Sequence, residues 1–227
     1  MITLPMFRQI VLTSVVAGVL ASTAAPASAS DDDHERVLGS VRVQPGEHVA
    51  DATTVNGSVD IGANAVVKHA ETVNGSITIH EHATVGSVET VNGSIRLGAG
   101  ARVSGNVELV NGKITLDDGV DVSGRLSGVN GSIQLTAAHV GGGIETKNGD
   151  LSVGANSRIE GGIVYDENNE SWFTLGTPKL PQVVIGPGSI VKGTLRFRRE
   201  VKLFVSDQAT IGPVEGATVN KFSGAHP

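Results

Sequence analysis

The tetrapeptide Val-Asn-Gly-Ser, or a close variant, recurs with its asparagine at Asn56, Asn74, Asn92, Asn111, Asn130 and Asn148, a return every 18 or 19 residues. A unit that short cannot bury an apolar face alone. It folds only when stacked on its neighbours as one coil of a solenoid. Within each unit a second beat runs, because Ile61, Val67, Val73, Ile79, Val85, Val91, Leu97 and Val103 stand six apart without a break. Three short strands per coil follow. The predicted fold is all-β, a single three-sided parallel β-helix of about nine coils of 18–20 residues.

The strand after each Asn-Gly alternates with period two, as in Val59-Asp60-Ile61 and Ile95-Arg96-Leu97, so its outer residues point inward and its middle one outward. A second inward column is Ala70, Val88, Val107, Leu126 and Ile144. The Asn-Gly pair is placed at a corner where the backbone is expected to need positive φ. Stacked at the inter-strand spacing of about 4.8 Å, the six asparagines form a structural ladder of side-chain amides. The register extends beyond the motif. Leu38-Gly39-Ser40-Val41 stands one repeat before Asn56, Ile185 to Leu195 superposes on Leu97 to Val107, and Ala209 to Glu215 on Ala83 to Glu89. The predicted organisation is a solenoid domain over 38–219 interrupted by an insertion at 165–179, preceded by an acidic lead-in (30–37) and followed by a tail (220–227). Nine coils at sheet spacing give a rod of roughly 43 Å.

Residues 1–29 are laid out as a secretory signal peptide: Arg8 carries the positive charge, Ile10 to Ala21 the apolar stretch, and Ala27-Ser28-Ala29 the small-residue cleavage site. No other run reaches the roughly 18 apolar residues of a spanning helix. The expectation is export to the periplasm or beyond, with no transmembrane span after signal removal. The absence of cysteine excludes disulfides and attachment through a lipidated N-terminal cysteine, so stability must come from stacking. Without Arg8, 16 of the 17 Lys+Arg remain against 23 Asp+Glu, a balance unsuited to nucleic acid. The one dense basic cluster, Arg196, Arg198, Arg199 and Lys202, reads as a solvated face.

Gly100-Ala-Arg-Val-Ser-Gly-Asn-Val107, Asn156-Ser-Arg-Ile-Glu-Gly-Gly-Ile163 and Gly188-Ser-Ile-Val-Lys-Gly-Thr-Leu195 resemble the Gly-Ala-x-Val-x-Gly-x-Ile pattern of bactofilins, the polymer-forming bacterial cytoskeletal proteins. The resemblance spans most of residues 38–216. It implies a right-handed helix that assembles end to end into filaments without nucleotide. The chain departs from the family in its export signal, bactofilins being typically cytoplasmic, and in its insertion. Secreted adhesin-like β-strand repeat proteins are similar at the same level. The six-residue beat also resembles the left-handed hexapeptide-repeat acyltransferases, which use a histidine beside a protruding loop as general base. Here His48, His69, His80, His82 and His139 do not stack at repeat spacing, and an exported enzyme would lack the acyl-coenzyme donor.

The insertion holds the only Trp and the only Tyr. Loops on rigid scaffolds carry recognition and large rings anchor it, so Tyr165, Trp172 and Phe173 are the candidate binding residues; the competing reading is that the rings cover the solenoid. Phe197, Phe204 and Phe222 are the candidates for a self-association face, since solenoid ends expose unpaired backbone. Glu71, Glu89, Glu108 and Glu145 share one outward column, interrupted by Ser127; such a flat ladder offers fewer oxygens than the roughly 6 to 8 that calcium prefers. His80-Glu81-His82 lacks a third ligand. No metal and no cofactor are expected. Asp117-Asp118 and Asp166-Glu167 are the nearest approach to paired catalytic carboxylates, and neither has a cleft. The outward column Asp60, Thr78, Arg96, Thr115, Gln134 and Ser152 is too mixed for ice binding. The sequence therefore points to an exported, non-enzymatic structural or scaffolding protein of the bacterial envelope, partnered by itself or by an envelope component. The alternative is an adhesin-like module that recognises a glycan or protein through the insertion.

Overall fold

The computed structural model describes residues 34–167 and 180–227, and every regular element in them is a β-strand. Twenty-three strands join one parallel sheet wound into a solenoid of about ten turns. Residues 1–33 and 168–179 lie outside the described residues, and with them the segment expected to be a signal peptide and both Trp172 and Phe173.

Three stacks of strands define three faces. On the first, Val41–Val43, Val59–Ile61 and Ile77–Ile79 pair in register and the column runs on to Gln182–Ile185, Lys202–Ser206 and Val219–Phe222. The second carries Val67, Val85, Val103, Val122, Val140 and Ile159 inward. The third begins with His34–Leu38 and passes through Ala52, Ala70, Val88, Val107, Leu126 and Ile144. These inward residues are at most 3% exposed, and each apolar side chain so buried contributes roughly 1.5–3 kcal/mol. Coils from before and after the insertion share one register: Ile185 continues the column of Leu135 and Val153, and Leu195 that of Ile163.

Two of the eight residues on the six-residue beat do not face inward. Val73 and Val91 are half-buried and stand between fully buried threonines and exposed asparagines. Strand alternation forces this, since the third face buries Ala70 and Thr72, then Val88 and Thr90. Thr54, Thr72 and Thr90 survive in the apolar lumen because each donates its hydroxyl to a corner carbonyl, of Gly39, Gly57 and Gly75, at 2.9, 2.9 and 3.1 Å.

The corners divide the demands on glycine differently from the sequence expectation. Positive φ recurs between the first and second faces, at Gly46, Asn64, His82, Gly100, Gly119, Ala137, Asn156 and Gly188, rather than systematically at Asn-Gly. At the Asn-Gly corner the constraint is close approach. A Cβ on Gly57, Gly75, Gly93, Gly112, Gly131 or Gly149 would be driven into the carbonyl oxygen of the corner glycine one coil earlier.

The solenoid also reaches further than the repeat that announces it. His34–Leu38 pairs with 52–56 inside the stretch read as lead-in, and Val219–Phe222 pairs with 203–206 and runs into the tail. Parallel pairing needs only backbone, so the end coils form without the motif. Leu38 takes the place that asparagine holds in the coils above it.

Candidate functional site

The asparagine ladder is complete. Asn74, Asn92, Asn111, Asn130 and Asn148 each donate Nδ2 to the Oδ1 of the asparagine one coil before, at 3.1, 3.0, 2.9, 3.1 and 2.8 Å. Arg199 closes its C-terminal end, donating to Asn148 Oδ1 and, at 2.9 Å, to the Lys147 carbonyl. The insertion leaves the coil at this same corner, and Arg199 belongs to the next turn. The cation thus ties together the two coils that the insertion separates. Nothing in the repeat signals this, because Arg199 lies in a turn without the motif.

Tyr165, expected as an exposed anchor, is a core residue. It is 0% exposed, and its hydroxyl donates to the Gly149 carbonyl at 3.0 Å, as the lumen threonines do to earlier corner glycines. Burial holds the phenol proton well above its usual range. Phe197, expected at a self-association face, is 4% exposed and packs on Tyr165 with ring centroids 5.6 Å apart. Both occupy the inward column of Thr54, Thr72 and Thr90, which passes through Leu109, Gly128 and Thr146 before it reaches the two rings. Phe204 is half-buried on the outside of the first face, and Phe222 is half-buried in the last strand.

The C-terminal end of the lumen is only partly covered. Val191, Leu195 and Leu203 are fully buried, whereas the residues stacked on them, Ile211, Val214 and Val219, are only partly covered. The N-terminal end is polar by contrast. His34 and Arg36 take the positions of Ala52 and Thr54, and His34 Nε2 lies 3.2 Å from Glu47 Oε1.

On the third face, Glu71, Glu89 and Glu108 stand opposite one another on successive strands, with Ser127 and Glu145 continuing the column. Burial first, then the carboxylates of Glu89 and Asp51, push the Glu71 carboxyl up to about 7. Glu108 is pushed up to about 7 by burial and Glu89, against the Asn106 hydrogen bond and the Arg125 charge. Burial also raises Glu89, with His69 opposing. The valines Val55, Val73, Val91, Val110 and Val129 run beside the column two residues on.

Several of the remaining polar candidates are held in ion pairs or hydrogen bonds. Asp117 Oδ2 accepts from Arg96 at 2.7 Å and Asp166 Oδ1 from Arg198 at 2.7 Å. His80 Nε2 lies 2.8 Å from Asp60 Oδ1, and His82 is a positive-φ corner residue. Arg196 bonds Glu215 at 2.7 Å, so the three arginines of the basic cluster are each paired. Arg158 and Lys192 converge on Glu160 and hold its carboxyl down to about 2. Among the described residues no group of three or more His, Cys, Asp or Glu could hold a metal ion, and no helix is long and apolar enough to cross a membrane. Two open grooves mark the first face, of about 270 Å³ at Arg42, Asp60 and His80 and about 250 Å³ at Lys113, Gln134 and Gln182. Comparison of the chain with family models, with curated proteins and with solved structures finds no match.

Proposed function

We propose that this chain is an exported, non-enzymatic structural protein of the bacterial cell envelope that self-associates through the C-terminal end of its solenoid. The observation that carries the reading is the half-covered lumen at Ile211, Val214 and Val219, beside edge strands such as Val219–Phe222. An end that presents both apolar side chains and a row of unpaired backbone groups is a template for another sheet edge, and a second copy of the same end supplies both. Export rests on the layout of residues 1–29. The non-enzymatic part is supported by the ion pairs that occupy Asp117 and Asp166. Phe222 belongs to this end; Phe197, inside the lumen, does not.

Sedimentation of the mature chain tests the proposal. The parent should form concentration-dependent oligomers, and Val219→Lys should remain monomeric with its β-structure intact. Strictly monomeric sedimentation of the parent at high concentration would reject self-association and favour the adhesin-like alternative. That alternative now rests on Trp172 and Phe173, since Tyr165 is buried.

A further inference from the structure

Parallel in-register pairing places identical residues of a repeat directly opposite one another. For asparagine this is favourable, because each amide both donates and accepts. For glutamate it is not, since like charges opposed on neighbouring strands repel. Yet Glu71, Glu89 and Glu108 occupy three successive rungs of one column, about 4.8 Å apart at sheet spacing, and all three are half-buried.

The groups facing this column offset its charge only in part. One flanking column runs Asp51, His69, Ser87, Asn106 and Arg125. In it Asp51 adds a further negative charge, and His69 Nδ1 is 3.0 Å from Ser87 Oγ. Asn106 donates to Glu108 Oε1 at 3.2 Å, while Arg125 is directed to Glu145 Oε2 at 3.4 Å. The other flank is the valine column, which ends in Lys147 beyond Val129. Along the column itself lie Glu35 and Thr53 on the N-terminal side, then Ser127 and Glu145 on the C-terminal side. A column with this little compensation lowers its energy by taking up protons: a carboxylic acid donates to the carboxylate on the next rung where two carboxylates repel.

We propose that Glu71, Glu89 and Glu108 form a proton-binding ladder that replaces charge repulsion between three adjacent strands by carboxyl-to-carboxylate hydrogen bonds in mildly acidic medium, making the central coils more stable below neutrality than above it. The electrostatics agree in sign. Glu71 and Glu108 are raised from an ordinary 4.5 to about 7, so between those values the folded chain holds protons that the unfolded chain releases. Stability then rises as pH falls through 7 and is fully gained below 4.5. Glu89, repelled from both sides when its neighbours ionise, titrates as one of a coupled set rather than alone. Glu160, held low by Arg158 and Lys192, contributes in the opposite sense and only as pH falls below 4.5.

Thermal melts of the mature chain between pH 5.5 and pH 8.5 test the ladder. The melting temperature should rise by about 4 °C or more from the alkaline to the acid end of that range, a shift of one or two kcal/mol in a chain of this size. Replacing all three glutamates (E71Q, E89Q, E108Q) should flatten the dependence and raise the alkaline melting temperature above the parent's. Parent and variant curves that run parallel would overturn the proposal. Because a triple variant can fail to fold, carbon-13 NMR titration of the parent's glutamate carboxyls supplies a second test. At least two carboxyls should titrate near neutrality, and a set that titrates wholly in the ordinary carboxylate range rejects the ladder whatever the melts show.

Discussion

Tyr165 offers the sharpest test of where the solenoid ends and the insertion begins. Its ring is buried against Phe197 and its hydroxyl replaces the lumen threonines as donor to a corner carbonyl. Tyr165→Phe removes only that donor, and the Gly149 carbonyl loses its side-chain partner. The expected cost is about 1–1.5 kcal/mol. Tyr165→Ala removes the ring as well and leaves a cavity between coils, raising the cost to about 3–5 kcal/mol. At about 2–4 °C per kcal/mol for a chain of this length, circular dichroism melts should separate the two variants from the parent and from each other. Combined with Phe197→Ala, the double-mutant cycle should return a coupling of about 0.5–1.5 kcal/mol for the ring pair. Because each coil is supported by its neighbours, hydrogen exchange should quicken first in 143–165 and 195–206. A Tyr165→Ala protein that melts with the parent would refute the core placement and return Tyr165 to the loop.

The other predictions concern the columns. Asn92→Ala breaks two exposed ladder bonds, to Asn74 and from Asn111, and should cost about 1–2 kcal/mol in urea unfolding, since water re-satisfies the freed amides. Gly128→Ala should stabilise by about 0.4–1 kcal/mol, because the atoms nearest an added methyl, on Thr146 and Ile133, lie at ordinary contact distances of 3.5–3.9 Å; a lower melting temperature would refute that fit. Val107→Asp places a carboxylate at a position 0% exposed and should abolish cooperative unfolding, an unpaired buried charge costing several kcal/mol.

What the sequence made legible is whatever stacking repeats. The six asparagines, the inward column from Ala70 to Ile144 and the return of register after the insertion all follow from one rule: a residue pays its rent to the coil above and the coil below. The errors came where two periodicities compete. The six-residue beat includes Val73 and Val91, although the period-two alternation of the third face turns them outward. The positive-φ corner was hidden because Gly, Asn, His and Ala all occupy it, whereas the Asn-Gly corner is uniform for a different reason, the contact of backbone on backbone. Tyr165 and Phe197 depart from the sequence expectation because no ring occurs earlier in the solenoid. Ile163-Val164-Tyr165 nevertheless has the spacing of Val88-Glu89-Thr90, and continuing that column would have set the ring where Thr90 sits.

The same rule decides which outside residues carry information about function. A column that stacking favours needs no further cause, and the asparagine ladder is such a column: its regularity is explained by its hydrogen bonds. A feature that stacking disfavours does need one. Three half-buried glutamates opposed on adjacent strands are costly when ionised, and lumen residues left half-covered at Ile211, Val214 and Val219 forgo the burial that Val191, Leu195 and Leu203 beneath them achieve. These two features are independent in place, one on the third face near the N-terminal half and the other at the C-terminal end. Protonation of the ladder should therefore change the stability of the central coils without changing the oligomer size set by the end. A variant set that moved both together would show that the rod transmits strain along its axis rather than summing its coils.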